Sequence, residues 1–316
     1  MKSIMKNIIP IVFTFDNNLI MPACVCISSL LRSADADTLY DIYILHSEKC
    51  DFSRTPLAEY PKIFSNCKIT FRTVYSEFIS AFEIRGITTT AYYRLLIPEI
   101  IPEYDKVLYS DVDVVFREDL SKYYNENLDG YYMAGVDNGS ALRPGVQKYV
   151  KEKLGIDHRY GHFYSGNLVI NSSQILKDNL TPRFRELAQK NFHQQDMDII
   201  NIACYGKIKP LSPAFCLTNF LTELIVKRKD EMLQYFSEET LSHALAKGIV
   251  HYNGPKPWKE WCVNFDYWWE EYRHSPIYDE QYYFDFFNNK QGELDKLSLI
   301  KRLKILCRYF IYGPNI

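Results

Sequence analysis

The chain lacks the marks of several large protein classes. Its 316 residues contain no run of about 18 apolar residues, so no segment reads as a membrane-spanning helix. None of the eight cysteines (24, 26, 50, 67, 204, 216, 262 and 307) forms a Cys-x-x-Cys pair, which excludes the common zinc spacings. Their scatter gives no disulfide framework either, and free thiols in a reducing cytosol are the expectation. The net charge is only −2, which argues against nucleic acid as a partner. No internal repeat and no low-complexity segment is visible. Met1 to Phe15 carries two lysines and an apolar stretch, but Pro10 and Asp16 interrupt it and no small-x-small cleavage site follows. A secretory leader is therefore not expected, and a cytoplasmic location is.

What is present is a globular composition, 47% hydrophobic and 24% charged. Aromatics reach 15%, with 25 tyrosines, a residue suited to wet interfaces and sugar-stacking surfaces as well as to cores. Ile8 to Phe15 reads as a buried strand that stops at Asp16-Asn17-Asn18. A helix is expected over 22–32, a strand over 40–45, a helical stretch near 54–64 and a strand over 68–74. Thr88-Thr89-Thr90 is expected to cap a helix over 91–96, ended by Pro98 and Pro102. Further strands are expected at 106–109, 131–136 and 168–170, and a helix over 197–204. This alternation predicts an α/β fold with a largely parallel sheet flanked by helices, and ligands at its carboxyl edge.

The end of the chain differs. After Asp295 no acidic residue occurs, while Lys296, Lys301, Arg302, Lys304 and Arg308 accumulate. On a helical wheel Leu299, Ile300, Leu303, Leu306, Cys307 and Phe310 share one side, with Lys301, Lys304 and Arg308 opposite. The pattern fits a helix lying on an anionic membrane surface. Docking on the protein's own core is the other reading, and the terminal position and one-sided charge favour the membrane. Trp258, Trp261, Trp268 and Trp269 are expected to pack a C-terminal subdomain rather than to stack on a ligand.

Two segments carry chemistry. Asp111-Val112-Asp113 follows the strand at 106–109. If the extended backbone continues, both carboxylates point the same way and offer hard oxygen donors to Mn²⁺ or Mg²⁺. Flanking apolar residues, Val107-Leu108 and Val114-Val115-Phe116, set this pair in a buried segment, where charges are costly without a cation. His251-Tyr252-Asn253-Gly254-Pro255-Lys256-Pro257-Trp258 follows a strand end at 249–250. It could bring a neutral imidazole to the same edge, with Gly254 permitting close backbone approach and Lys256 neutralising a phosphate.

These features in order resemble glycosyltransferase family 8, the group containing glycogenin and bacterial lipooligosaccharide galactosyltransferases. The resemblance covers residues 8–262. It rests on Ile11-Val12-Phe13 with Asp16-x-Asn18, Thr90-Ala91-Tyr92-Tyr93-Arg94, Lys106-Val107-Leu108-Tyr109-x-Asp111-x-Asp113-Val114, Ser165-Gly166 with Ile170-Asn171, Gln195-Asp196, and His251-Tyr252-x-Gly254 with Lys256-Pro257-Trp258. It implies a GT-A fold, a UDP-sugar donor and retention of anomeric configuration. Asp111, Asp113 and His251 would hold Mn²⁺ (or Mg²⁺). Asp16 and Asn18 would contact uracil and ribose, and Gly254 and Lys256 the diphosphate. Arg94 and Asp137 would contact the donor sugar, with Gln195 beneath its anomeric carbon. Phe13, Thr14, Ser110, Val112, Ser165, Gly166 and Gln194 would complete the donor site.

Three departures from the family pattern stand out. Gln194-Gln195-Asp196 replaces Asp-Gln-Asp, Phe163-Tyr164-Ser165-Gly166 replaces a Phe-Asn-(Ala or Ser)-Gly run, and the His251–Lys256 spacing is one residue shorter than in many members. The implied organisation is a GT-A catalytic domain over 1–265 and a small helical C-terminal extension over 266–316 with the membrane-associating tail. The implied activity is transfer of galactose or glucose from a UDP-hexose to a cell-surface glycan or lipid-linked saccharide. The alternatives are a haloacid-dehalogenase-type phosphatase, on the Asp-x-Asp-x-Val match, and a catalytically decayed binding protein, on Gln194.

Overall fold

The structure, a computed structural model, describes residues 7–75, 77–78, 81–83 and 88–312, without the side chains of Leu294, Arg308, Tyr309 and Tyr312. Part of the segment weighed as a leader, residues 1–6, lies outside it, as does part of the basic tail.

A seven-stranded sheet organises the molecule. In chain order its strands are β1 (Asn7–Thr14), β2 (Thr38–Ser47), β3 (Cys67–Val74), β4 (Lys106–Ser110), β6 (Met133–Asp137), β7 (Phe163–Asn171) and β8 (Ile208–Pro210). Across the sheet they run β3-β2-β1-β4-β7-β6-β8. All neighbours are parallel except β7, which is antiparallel to both β4 and β6. A second, three-stranded sheet joins β5 (Val114–Val115), β9 (Leu217–Thr218) and β10 (Val250–His251) in the order β5-β10-β9. The expected mostly parallel mixed sheet flanked by helices is what forms.

Both faces of β1 are covered, so its residues from Ile9 on are buried and its sequence is nearly continuously apolar. Pro10 is tolerated because pairing with β4 begins only at Ile11, leaving β1 with one neighbour at the proline. Helix α1 (Ile20–Arg32) buries residues 22–31 and packs on β5. Later helices are α2 (Gln195–Ala203), α3 (Asn219–Lys227), α4 (Glu238–Lys247) and α5 (Phe265–His274). Trp268 and Trp269 of α5 and the neighbouring Trp258 are buried, whereas Trp261 is half exposed. Helix α5 packs on α1.

Proline placement alters two expected helices. The stretch near 54–64 is a 3-10 turn, Pro56–Glu59, followed by one α turn, Tyr60–Ile63, with Pro61 in its first turn. Residues Thr89–Leu96 form a 3-10 helix, and Pro98 begins the next short helix, Ile97–Ile100, instead of ending a helix. Thr88 does not cap; its hydroxyl pairs with that of Thr90 at 2.7 Å.

The chain divides into two compact units, one to Pro276 and one from Ile277. The second contains α6 (Glu280–Asp295) and α7 (Leu299–Tyr312). No helix among the described residues is long and apolar enough to cross a membrane. All eight cysteines are free, and five of them (Cys24, Cys26, Cys67, Cys204 and Cys216) are buried.

Candidate active site

The chain winds outward from β1 through β2 to β3, then returns to place β4 on the other side of β1. Open α/β sheets bind ligands at such a reversal, outside the carboxyl ends of the strands. Phe13 pairs with Ser110 there, so Asp16 after β1 and Asp111 after β4 emerge on adjacent strands.

The Asp-x-Asp segment is not extended, contrary to expectation. Strand β4 ends at Ser110, and β5 begins only at Val114. Two backbone hydrogen bonds pin the bend between them: Asp111 N–H donates to Gly166 O at 2.8 Å, and Tyr252 N–H donates to Asp113 O at 2.9 Å. The carboxylates therefore converge through a bend clamped by β7 and β10 rather than through one pleat repeat.

His251 reaches the bend because β10 pairs with β5, His251 opposite Val114. Its Nε2 lies 3.2 Å from Asp113 Oδ1 and 3.6 Å from Asp111 Oδ2. One ligand atom from each of the three lies within 4.8 Å of the others. Two carboxylates and an imidazole suit Mn²⁺ or Mg²⁺. Gly166 makes room for them: a Cβ there would meet His251 Cε1 at 2.2 Å and Asp111 Oδ2 at 2.8 Å. Burial works against charge on Asp113, but facing Lys256 and His251 outweighs it and holds the carboxyl below its ordinary range. Burial likewise opposes a charged His251, and Asp113 outweighs it, raising the imidazole well above its usual value.

Two cations flank this cluster. Lys256 Nζ pairs with Asp113 Oδ2 and donates to Tyr252 O at 2.6 Å, so the shortened spacing still delivers the lysine to the site. Arg94, 5% exposed, donates to Asp111 Oδ1, Ser165 O and Ala91 O, each at 2.8 Å, and pairs with Asp196 Oδ2 at 3.1 Å. Its guanidinium also stacks over Tyr109 at 4.4 Å. Tyr109 spends its single proton on Asp111 Oδ1 at 2.6 Å, so the 3.1 Å contact with Thr14 must have the threonine as donor.

Sequence reasoning missed three members. Tyr109 stands two residues before Asp111 within the quoted motif. Asp196, not Gln194 or Gln195, is the carboxylate of its triplet that joins the cluster, through Arg94. Cys216 lies behind His251, its Sγ 3.4 Å from Nδ1. The first two had a signal in the motif; Cys216 had none.

The other expected members are held by contacts of their own. Asp16 accepts from Asn18 N–H at 2.9 Å at the end of β1, and Phe13 and Val112 are buried in the core. Gly254 lies open, with only Asn219 near. Asp137 accepts from Ser140 N–H (2.7 Å), Ser140 Oγ (2.9 Å) and His162 N–H (2.7 Å), tying down the loop after β6. Gln194 N–H donates to Asp198 Oδ2 at 2.9 Å. Gln195 enters α2 in the left-handed region, φ 46°, a conformation costly for a residue with a side chain. Its Nε2 donates to Phe82 O at 2.7 Å, and its Oε1 is buried without a partner among the described residues.

Residues 10–262 match the profile of "Glycosyl transferase family 8". The chain belongs to that family. The lipopolysaccharide 1,2-glucosyltransferase of Escherichia coli is 25% identical over 235 residues, 69% of this chain and 66% of that enzyme. Among solved structures, the WbbM bifunctional glycosyltransferase superposes with a TM-score of 0.70 at 21% identity, over 91% of this chain and 52% of WbbM. The galactosyltransferase LgtC, solved with donor and acceptor sugar analogues, gives 0.68 at 22% identity, over 87% of this chain and 99% of its own. These likenesses show the GT-A fold. The chain spans about two thirds of the length of the Escherichia coli enzyme and about half that of WbbM. Family membership removes the phosphatase alternative.

Proposed function

We propose that this family 8 chain is a retaining hexosyltransferase that uses a UDP-hexose and Mn²⁺ or Mg²⁺, and adds the hexose to a cell-surface glycan or lipid-linked saccharide. The observation that carries this is the convergence of Asp111, Asp113 and His251 around the gap that Gly166 leaves at the sheet's switch point. A divalent cation held by these three would neutralise charge developing on the departing diphosphate. Lys256 adds positive charge on the Asp113 side. Asp16 and Asn18, one strand over, would contact the uracil and ribose, and Gly254 would let backbone approach the phosphates. Arg94, fixed by Asp111 and Asp196, faces the donor hexose together with Ser165; Asp137 bounds the same edge farther along.

Retention requires either a covalent intermediate or attack on the face the diphosphate leaves. An amide such as Gln195 is a poor nucleophile, and its nitrogen is already bonded to Phe82 O. Front-face attack, with a phosphate oxygen taking the acceptor's proton, is the mechanism proposed. A glycosyl-enzyme adduct caught by mass spectrometry would sink it. Glucose and galactose are the favoured sugars, the ones that the names of the Escherichia coli relative and of LgtC carry for those proteins.

The working location proposed is the cytoplasmic face of the membrane. Helix α7 presents Leu299, Ile300, Leu303, Leu306 and Phe310, which its own unit leaves exposed, with Lys301 and Lys304 on the other side.

The test is UDP release by purified protein across a UDP-sugar panel, with and without Mn²⁺, beside Asp113→Asn. Slow Mn²⁺-dependent hydrolysis of one donor, abolished by the substitution, is expected. Failure to bind UDP·Mn²⁺ at all would return the decayed-site reading.

A further inference from the structure

A cavity of about 650 Å³ opens beside edge strand β8. We infer that it receives the saccharide acceptor, a neutral sugar chain whose rings stack on Tyr160 and Tyr235; this rests on the transferase reading above.

The cavity has the size of a ligand cleft and the composition that sugars need. Tyr131, Tyr160, Tyr235 and Phe236 supply aromatic faces for the C–H side of a pyranose ring, while Asp137, His158 and the side-chain oxygen of Gln147, whose nitrogen donates to Ser140 O and Ala141 O, bring groups that hydrogen-bond hydroxyls. Tyr160 is 57% exposed and Tyr235 is 53% exposed, so neither is consumed by core packing. Charge argues against a phosphate-bearing occupant. Arg159 is the one lysine or arginine among the lining residues, and its guanidinium is committed to Asp157 at 2.6 Å. The donor's diphosphate has its cation elsewhere, in Lys256.

Position argues for the acceptor in particular. Phe163 lines the cavity and lies three residues before Gly166 on β7, about 10 Å at strand rise. Leu221, another lining residue, donates its N–H to Thr218 Oγ1 at 3.2 Å, and Thr218 stands in register with His251. Cavity and metal-ligand cluster are thus linked through β7 and through the Thr218 turn, with Asp137 at the end of β6 on the cavity side. A short oligosaccharide seated on the tyrosines could extend its terminal hydroxyl toward the donor.

The probes are the methyl glycosides of glucose, galactose and N-acetylglucosamine and their common disaccharides, observed by saturation-transfer NMR with the full chain plus UDP and Mn²⁺. Binding by at least one probe is expected, weakened tenfold or more in Tyr160→Ala and in Tyr235→Ala. Both sites are exposed, so folding should persist, and UDP·Mn²⁺ affinity, titrated separately, should be unchanged. Undiminished sugar binding in both variants, or no binding by any probe, overturns the assignment. Failure of the wild type to bind UDP·Mn²⁺ condemns the transferase reading instead, and with it the acceptor role even if sugars bind. Loss of UDP·Mn²⁺ affinity in the variants would also count against a separate acceptor site.

Discussion

Cys216 Sγ lies 3.4 Å from Nδ1 of His251, while Nε2 of the same ring faces Asp111 and Asp113. The thiol therefore holds the back of the imidazole, the place where metal-ligating histidines usually meet a carboxylate, carbonyl or water. Cys216→Ala should lower Mn²⁺ affinity about tenfold, the low end for such partners because sulfur is a weak one. Electron paramagnetic resonance of free Mn²⁺ measures this directly. Cys216→Ser should recover part of the loss; equal affinity in wild type and Cys216→Ala would show that the thiol merely fills space.

Gly166→Ala tests the space in front of the ring. A methyl group 2.2 Å from His251 Cε1 cannot be accommodated without moving the imidazole or Asp111. Mn²⁺ binding should fall by more than the Cys216→Ala effect, with circular dichroism and thermal midpoint close to wild type. Full Mn²⁺ affinity in this variant would mean that the three side chains do not bind the metal in the arrangement seen here.

Metal binding should be coupled to protons. Without metal, the imidazole of His251 is pushed well above its ordinary pKa, since Asp113 outweighs the effect of burial. A metal requires the neutral ring, so uptake near pH 7 must expel that proton. Affinity should rise with pH through neutrality, and calorimetry in buffers of different ionisation enthalpy should register about one proton released per Mn²⁺. Zero release at pH 7 would contradict a protonated His251 in the metal-free chain.

Removing residues 296–316 should leave Mn²⁺-dependent donor hydrolysis intact while lowering sedimentation with anionic vesicles. Unchanged sedimentation would remove the membrane role from helix α7.

Much of this molecule was legible in its sequence. Near-continuous apolar runs such as Ile11-Val12-Phe13 mark strands buried on both faces, and polar residues right after them mark the ligand edge. Asp111, Asp113 and His251 were legible as a ligand set because their residue types and surroundings fit one chemistry. The bend that makes them converge was not, since it depends on hydrogen bonds from Asp111 to Gly166 and from Tyr252 to Asp113. Asp196 stood within the motif, but its place in the cluster was not legible, since it depends on Arg94, 102 positions away in the chain, and on Ser165. The left-handed turn at Gln195 could not be foreseen either, as glutamine gives no local signal for it.

The reversed strand β7 has a consequence for how such a protein can change. Because β7 alone runs against its neighbours, the excursion from Asp137 to Phe163 both leaves and re-enters the sheet at the working edge. That excursion carries Gln147, His158, Arg159 and Tyr160 of the cavity, yet no strand of the sheet lies within it. It can lengthen, shorten or change composition without shifting the register that aligns Asp111 with Gly166. New acceptors could thus be explored on one loop while the metal ligands and their supports stay fixed.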